Sequence, residues 1–182
     1  VPTVITDSLT PVTRESSVDS GITRVAVIGS GTMATGIVSV LAAGGVLVTA
    51  LTRSEQRSSQ LRQSLEKSWS KLVEKGRISS EQKNEYLARV QTCESAQDLV
   101  GQVDLVIEAI AEELGPKCEI FSQLDGLLSE DVIFATTTSS LSVIEIASST
   151  ARMERFIGIH FFNPAPVMPL VEIVSTVATH SD

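Results

Sequence analysis

Two stretches of the sequence gather residue types that could do chemistry. The first, Gly29-Ser30-Gly31-Thr32-Met33-Ala34, follows the short apolar run Val25-Ala26-Val27-Ile28 and opens a segment, Thr32 to Ala43, that reads as a helix. A continuous apolar run of this length suits a strand buried on both faces. Between a strand and a helix, GxGxx[GA] is a dinucleotide-binding fingerprint. Gly29 permits the tight turn, Gly31 lets the backbone approach a pyrophosphate, and the small Ala34 lets the helix pack on the strand. The helix start, Thr32 and Met33 included, offers unpaired N–H donors and the positive dipole end to the phosphates. The second stretch centres on His160, toward the end of the apolar run Phe156-Ile157-Gly158-Ile159. Oxidation of an alcohol by hydride transfer needs a base for the hydroxyl proton, and reduction needs the same group as an acid. An imidazole serves both near neutral pH. Glu172, on the next strand, could hold and charge-stabilise the ring if the two strands pair. On spacing alone, a purely structural histidine is the competing reading. The other histidine, His180, falls in what reads as a frayed C-terminal tail.

An NAD site usually places an acidic residue near the end of the second strand, for the ribose hydroxyls. No Asp or Glu occurs from Gly29 to Ser54; the strand runs out into Thr52-Arg53-Ser54, with Arg57 one helical turn later. A guanidinium flanked by hydroxyls is what a 2'-phosphate requires. NADP is therefore favoured over NAD, the alternative being that Arg53 only stacks on adenine.

The net charge of -8 argues against a general nucleic-acid binder. Yet seven of the 14 Lys and Arg residues lie between Arg53 and Arg77, against Glu55, Glu66 and Glu74. A solvated helix face with i,i+4 pairs explains this cluster, and so does a landing site for a phosphorylated ligand. Cys93 and Cys118 have no metal-ligand spacing and read as reduced. No apolar run approaches the ~18 residues of a membrane span, and no secretory pattern opens the chain. A soluble, cytoplasmic protein with neither membrane nor nucleic-acid partners is expected.

Several elements must position these residues. Residues 1 to 22 read as a flexible tail or linker, and 23 to 182 as one dinucleotide-binding domain. A second strand spans Val46 to Leu51. Next comes a helix with Leu61, Leu65, Trp69 and Leu72 on one face, closed by Gly76. Ser79 and Gln82 form a capping box for a further helix to about Leu87. Together the two helices make a hairpin that carries the basic cluster. Strands follow at Val90 to Thr92, Leu105 to Ile110, Val132 to Thr136, Phe156 to Phe161 and Leu170 to Val174. A helix is expected from Lys117 to Leu128, and another is capped by Ser142 with Glu145. The alternation predicts an α/β fold: a Rossmann-type, doubly wound, mainly parallel sheet with a helical hairpin inserted after the second strand.

Read together, VAVIGSGTMATGI, LVIEAIAEE, TTTSSLSVIEIAS and GIHFFNPAPVMPLVEIV resemble the N-terminal domain of the L-3-hydroxyacyl-CoA dehydrogenase family. The resemblance runs from about Ile22 to the end. It implies that His160 is the catalytic acid and base, Glu172 its carboxylate partner, Ser139 the hydroxyl that bonds the substrate oxygen, and Asn163 the asparagine beside the site. It places Glu112 and Lys117 against the nicotinamide half of the cofactor, and Lys75 and Ser68 on the hairpin face that meets CoA. The implied substrate is a 3-hydroxyacyl-CoA, or the same acyl group on an acyl carrier protein. A cofactor-binding protein without turnover is the reading from another class.

Some features depart from the family pattern. The third fingerprint glycine is Ala34, Thr52 stands where an acid is usual, and Thr137 stands where an asparagine is common. Family members continue into a helical domain that forms a homodimer and adds another asparagine to the site. A chain ending at Asp182 is therefore expected to turn over weakly by itself.

Overall fold

The computed structural model describes residues 21–180; most of the stretch expected as a tail, residues 1 to 22, lies outside the described residues. Strands β1 (Arg24–Ile28), β2 (Leu47–Leu51), β3 (Val90–Cys93), β4 (Leu105–Glu108), β5 (Ile133–Thr136), β6 (Phe156–Phe161) and β7 (Val171–Ser175) form one sheet, ordered β3-β2-β1-β4-β5-β6-β7. Neighbours are parallel except β7, which runs antiparallel to β6. The order reverses between β1 and β4, leaving a crevice above their carboxyl ends.

Helices cover both faces of the central strands β1 and β4, which is why these read as apolar runs, whereas β7 is exposed along its length. Successive side chains of a strand point to opposite faces. Val25 and Val27 pack on α1 (Thr32–Ala43) and α2 (Glu55–Glu74). Ala26 and Ile28 face the other way, on the side of α4 (Leu114–Asp125) and α5 (Val143–Ala147). The hairpin of α2 and α3 (Ser80–Ala88) is anchored by Leu61, Leu65 and Trp69, and by the edge-on contact of Trp69 with Tyr86 at 5.6 Å. Both expected helix signals operate. Gly76 adopts φ +63 after the Lys75 cap, and Ser79 and Gln82 make reciprocal cap bonds.

Some expectations shift. Helix α4 begins at Leu114, earlier than Lys117, because Pro116 falls in the first turn, where a missing N–H costs nothing. It ends at Asp125, so Leu128 is buried beyond the helix. The residues before His180 are not frayed: Thr179 Oγ1 donates to the Phe156 carbonyl and His180 N to that of Glu154, both at 2.8 Å. His180 thus sits by the start of β6, at the opposite end of that strand from His160. Among the described residues no helix is long and apolar enough to cross a membrane.

Candidate active site

The crevice holds a cleft of about 800 Å³, bounded by the turn from β1 to α1, the end of β2 and the start of α4. Gly29 adopts φ +126, and a Cβ there would lie 2.6 Å from the Ala109 carbonyl oxygen, so only glycine fits this approach of β1 to β4. A Cβ on Gly31 would meet nothing within 4 Å, which leaves the backbone beside it bare to the cleft. Ala34 is fully buried under the sheet, and Thr32 and Met33 line the opening with the glycines.

At the far side of β2 the cleft is lined by Thr52, Arg53 and Arg57. The pairing of Leu51 with Cys93 brings Glu94 to the same level, and Glu94 lines the cleft too. The hydroxyls expected to flank Arg53 are occupied. Thr52 is buried and bonds Ser58 Oγ at 2.8 Å, while Ser54 caps α2 by accepting from Arg57 N. Arg53 and Arg57 are the cationic groups that line this end of the cleft.

On the other side of the crossover, the β-sheet register gathers the remaining chemistry. Glu108, Thr136 and Gly158 pair in a row across β4, β5 and β6. They share the face that carries Val106, Phe134 and Phe156. His160 lies two residues beyond Gly158 on that same face, about 7 Å further toward the carboxyl edge. Its Nδ1 is 2.8 Å from Glu172 Oε2, across the antiparallel pair His160–Glu172 of β6 and β7. The ring leans on Phe162, with centroids 4.8 Å apart. Both members of the pair are partly exposed, at 28% and 50% of their side chains. Asn163 is exposed just after β6, and its loop packs on α1 through Ala165 and Pro166, which a Cβ on Gly36 would meet at 3.2 Å.

Ser139 is exposed in the loop after β5. Glu112 Oε1 accepts from the Thr138 hydroxyl at 2.6 Å, from the amides of Ser139 and Ser140 at 2.9 and 3.2 Å, and from Ser140 Oγ at 3.2 Å. Partial burial raises the Glu112 carboxyl, but these bonds and the Lys117 ammonium outweigh it and hold the group at about 2. Lys117 is fully buried. Its Nζ lies 2.7 and 2.9 Å from the two oxygens of buried Glu108 and 3.3 Å from Glu112 Oε2. Glu108 was not singled out from the sequence. The available signal was a carboxylate ending a strand enclosed on both faces, since a buried charge needs a partner. Ser68 and Lys75 are exposed on the hairpin, Lys75 as the cap of α2.

A nucleotide-sized crevice at the crossover of a doubly wound sheet, with an imidazole–carboxylate pair along the same edge, defines a dehydrogenase-type dinucleotide-binding domain. Residues 24–182 match the family described as 3-hydroxyacyl-CoA dehydrogenase, NAD binding domain, and the chain belongs to that family. It is 45% identical over 152 residues to the 3-hydroxybutyryl-CoA dehydrogenase of Clostridioides difficile, covering 84% of this chain and 54% of that protein. It is 39% identical over 163 residues to the mitochondrial hydroxyacyl-coenzyme A dehydrogenase of Homo sapiens, covering 87% and 52%. The crystal structure of (S)-3-hydroxybutyryl-CoA dehydrogenase from Ralstonia eutropha superposes with a TM-score of 0.85 at 38% identity, covering 88% of this chain and 56% of that one. The chain thus spans about half the length of the relatives it matches.

Proposed function

We propose that the protein transfers a hydride between NAD(P) and the 3-hydroxyl or 3-keto carbon of an acyl-CoA, with His160 as the proton-transferring group. The observation that carries this reading is the 2.8 Å bond from His160 Nδ1 to Glu172 at the edge of the sheet where ligands bind. With Nδ1 committed to the carboxylate, Nε2 is the nitrogen left for the substrate hydroxyl. The glycine turn, the bare backbone at Gly31 and the cleft fit a dinucleotide. When bound, the nicotinamide accepts or returns the hydride.

In the oxidising direction His160 Nε2 takes the hydroxyl proton, and Glu172 stabilises the imidazolium that results. Ser139 donates to the substrate oxygen as negative charge develops there. Glu112 fixes the backbone that carries Ser139, and Asn163 borders the same edge. The exposed face of Ser68 and Lys75 receives CoA. A homodimer is expected of the whole protein.

Replacing His160 with Gln in the complete protein should lower the turnover of acetoacetyl-CoA, followed by reduced-nicotinamide absorbance, by about 10²- to 10⁴-fold while cofactor affinity holds. Unchanged turnover would overturn the assignment. For the cofactor, Arg53 and Arg57 support a preference for NADP, and Glu94 at the same level opposes it. Titration should find NADP tighter than NAD, and Arg53→Glu should reverse the order.

A further inference from the structure

We infer that Glu108 is a positioning residue for the reaction: from the buried row of the sheet it sets the place of the Ser139 loop, acting through Lys117 and Glu112. The inference rests on the proposed role of Ser139. It begins with the contacts of Glu108, a side chain with no exposure. Its Oε1 accepts from Ile110 N at 2.7 Å and Lys117 Nζ at 2.7 Å; its Oε2 accepts from Lys117 Nζ at 2.9 Å and Thr136 Oγ1 at 2.7 Å. All of these contacts are donors. A carboxylate, acceptor at both oxygens, satisfies them all, whereas a carboxamide of the same shape turns an N–H₂ toward donors.

Lys117 has no route to water, so its ammonium stays where its two carboxylates hold it. It is closer to Glu108, at 2.7 Å, than to Glu112 Oε2, at 3.3 Å. This asymmetry leaves Glu112 Oε1 turned toward the loop amides and the Thr138 hydroxyl. Without the Glu108 charge, the ammonium has one carboxylate left to move toward. That movement draws Glu112 inward and off Ser139 N and Ser140 N. The cluster is therefore a lever between two strand ends: Glu108 closes β4, and the loop it governs follows β5. Sub-ångström placement of a hydroxyl that meets the reacting oxygen affects the chemical step more than the binding of either ligand.

The test uses the complete protein, with Glu108→Gln, the milder Thr136→Val, and Ser139→Ala as control. Amide hydrogen exchange reads the loop without turnover, and kinetics with acetoacetyl-CoA separate kcat from KM. Glu108→Gln should speed exchange at Ser139 and Ser140 by about tenfold or more, leaving the β1 and β2 amides protected. It should lower kcat by about 10- to 100-fold with KM and cofactor Kd within about twofold. Thr136→Val should move both readouts the same way by less. If folded Glu108→Gln keeps wild-type exchange at Ser139 and Ser140, or keeps its kcat, the inference is overturned. Should that variant not fold, wild-type loop exchange in Thr136→Val overturns it equally. Unchanged turnover in Ser139→Ala would instead remove the role proposed for that hydroxyl, while loop exchange still judges the lever.

Discussion

Glu112 shows how one carboxylate can be placed by several weak partners. Its carboxyl lies at about 2, against an ordinary value of 4.5, because loop donors and Lys117 together outweigh the effect of burial. A group whose value is lower in the folded than in the unfolded state stabilises fully above the unfolded value and loses that contribution as pH falls toward the folded one. The loop clamp should therefore weaken between pH 4.5 and about 2. Since the side chain is 38% exposed, solvent screening limits the effect to about 1 kcal/mol. In thermal melts across this range, Glu112→Gln should show a shallower acid limb than the parent. The limb should not vanish, because Asp104, bonded first of all by Arg24, also lies at about 2. At this scale the sequence was legible where partners are fixed by strand register or by a contiguous motif, as with His160 and Glu172 or Gly29 and Gly31. It was silent on Glu108, whose partner Thr136 lies 28 residues away and is assigned only by the pairing of β4 with β5.

Among the elements, the turn from β1 to α1 is the tightest constraint. Gly29→Ala would combine a left-handed φ of +126 with a Cβ 2.6 Å from a backbone oxygen of the neighbouring strand end, and neither can relax without parting β1 from Ala109. The expected cost is about 3 kcal/mol from strain and overpacking together, read by denaturant unfolding, with loss of nucleotide binding. Gly31→Ala is the informative partner, because its Cβ enters open space. It should fold normally and weaken only the nucleotide. Helix α1 was bounded correctly because glycine turns close both its ends, and the hairpin because Gly76 and the Ser79–Gln82 box punctuate it. The start of α4 was misplaced because Leu114 and Gly115 carry no capping signal, and Glu113 caps without a side-chain bond. The short 3-10 turn Ala96–Leu99, which connects β3 toward β4 where a full helix is the commoner link, gave no periodicity to read.

Across the whole molecule, charge is segregated: half the cations ride on the hairpin of an otherwise acidic chain. The structure divides their work. Arg62 donates to the Val90 carbonyl at 3.0 Å and ties α2 to the edge strand β3. Lys67, Lys71 and Lys75 are exposed at i,i+4 spacing and form one stripe beside Ser68. A stripe of this kind attracts a polyanion such as CoA through a field that salt screens over about 8 Å at physiological ionic strength. The affinity of acetoacetyl-CoA should therefore fall as salt rises, and Lys71→Glu with Lys75→Glu should weaken it by about tenfold at low salt and much less at high salt. Cofactor affinity should hardly respond to that pair of changes, since the site proposed for its phosphates is the start of α1 while the stripe lies along the outer surface of α2. Equal losses for both ligands would mean that the basic stripe acts on the molecule as a general field. A loss confined to the CoA ester would make it the place where that ester docks.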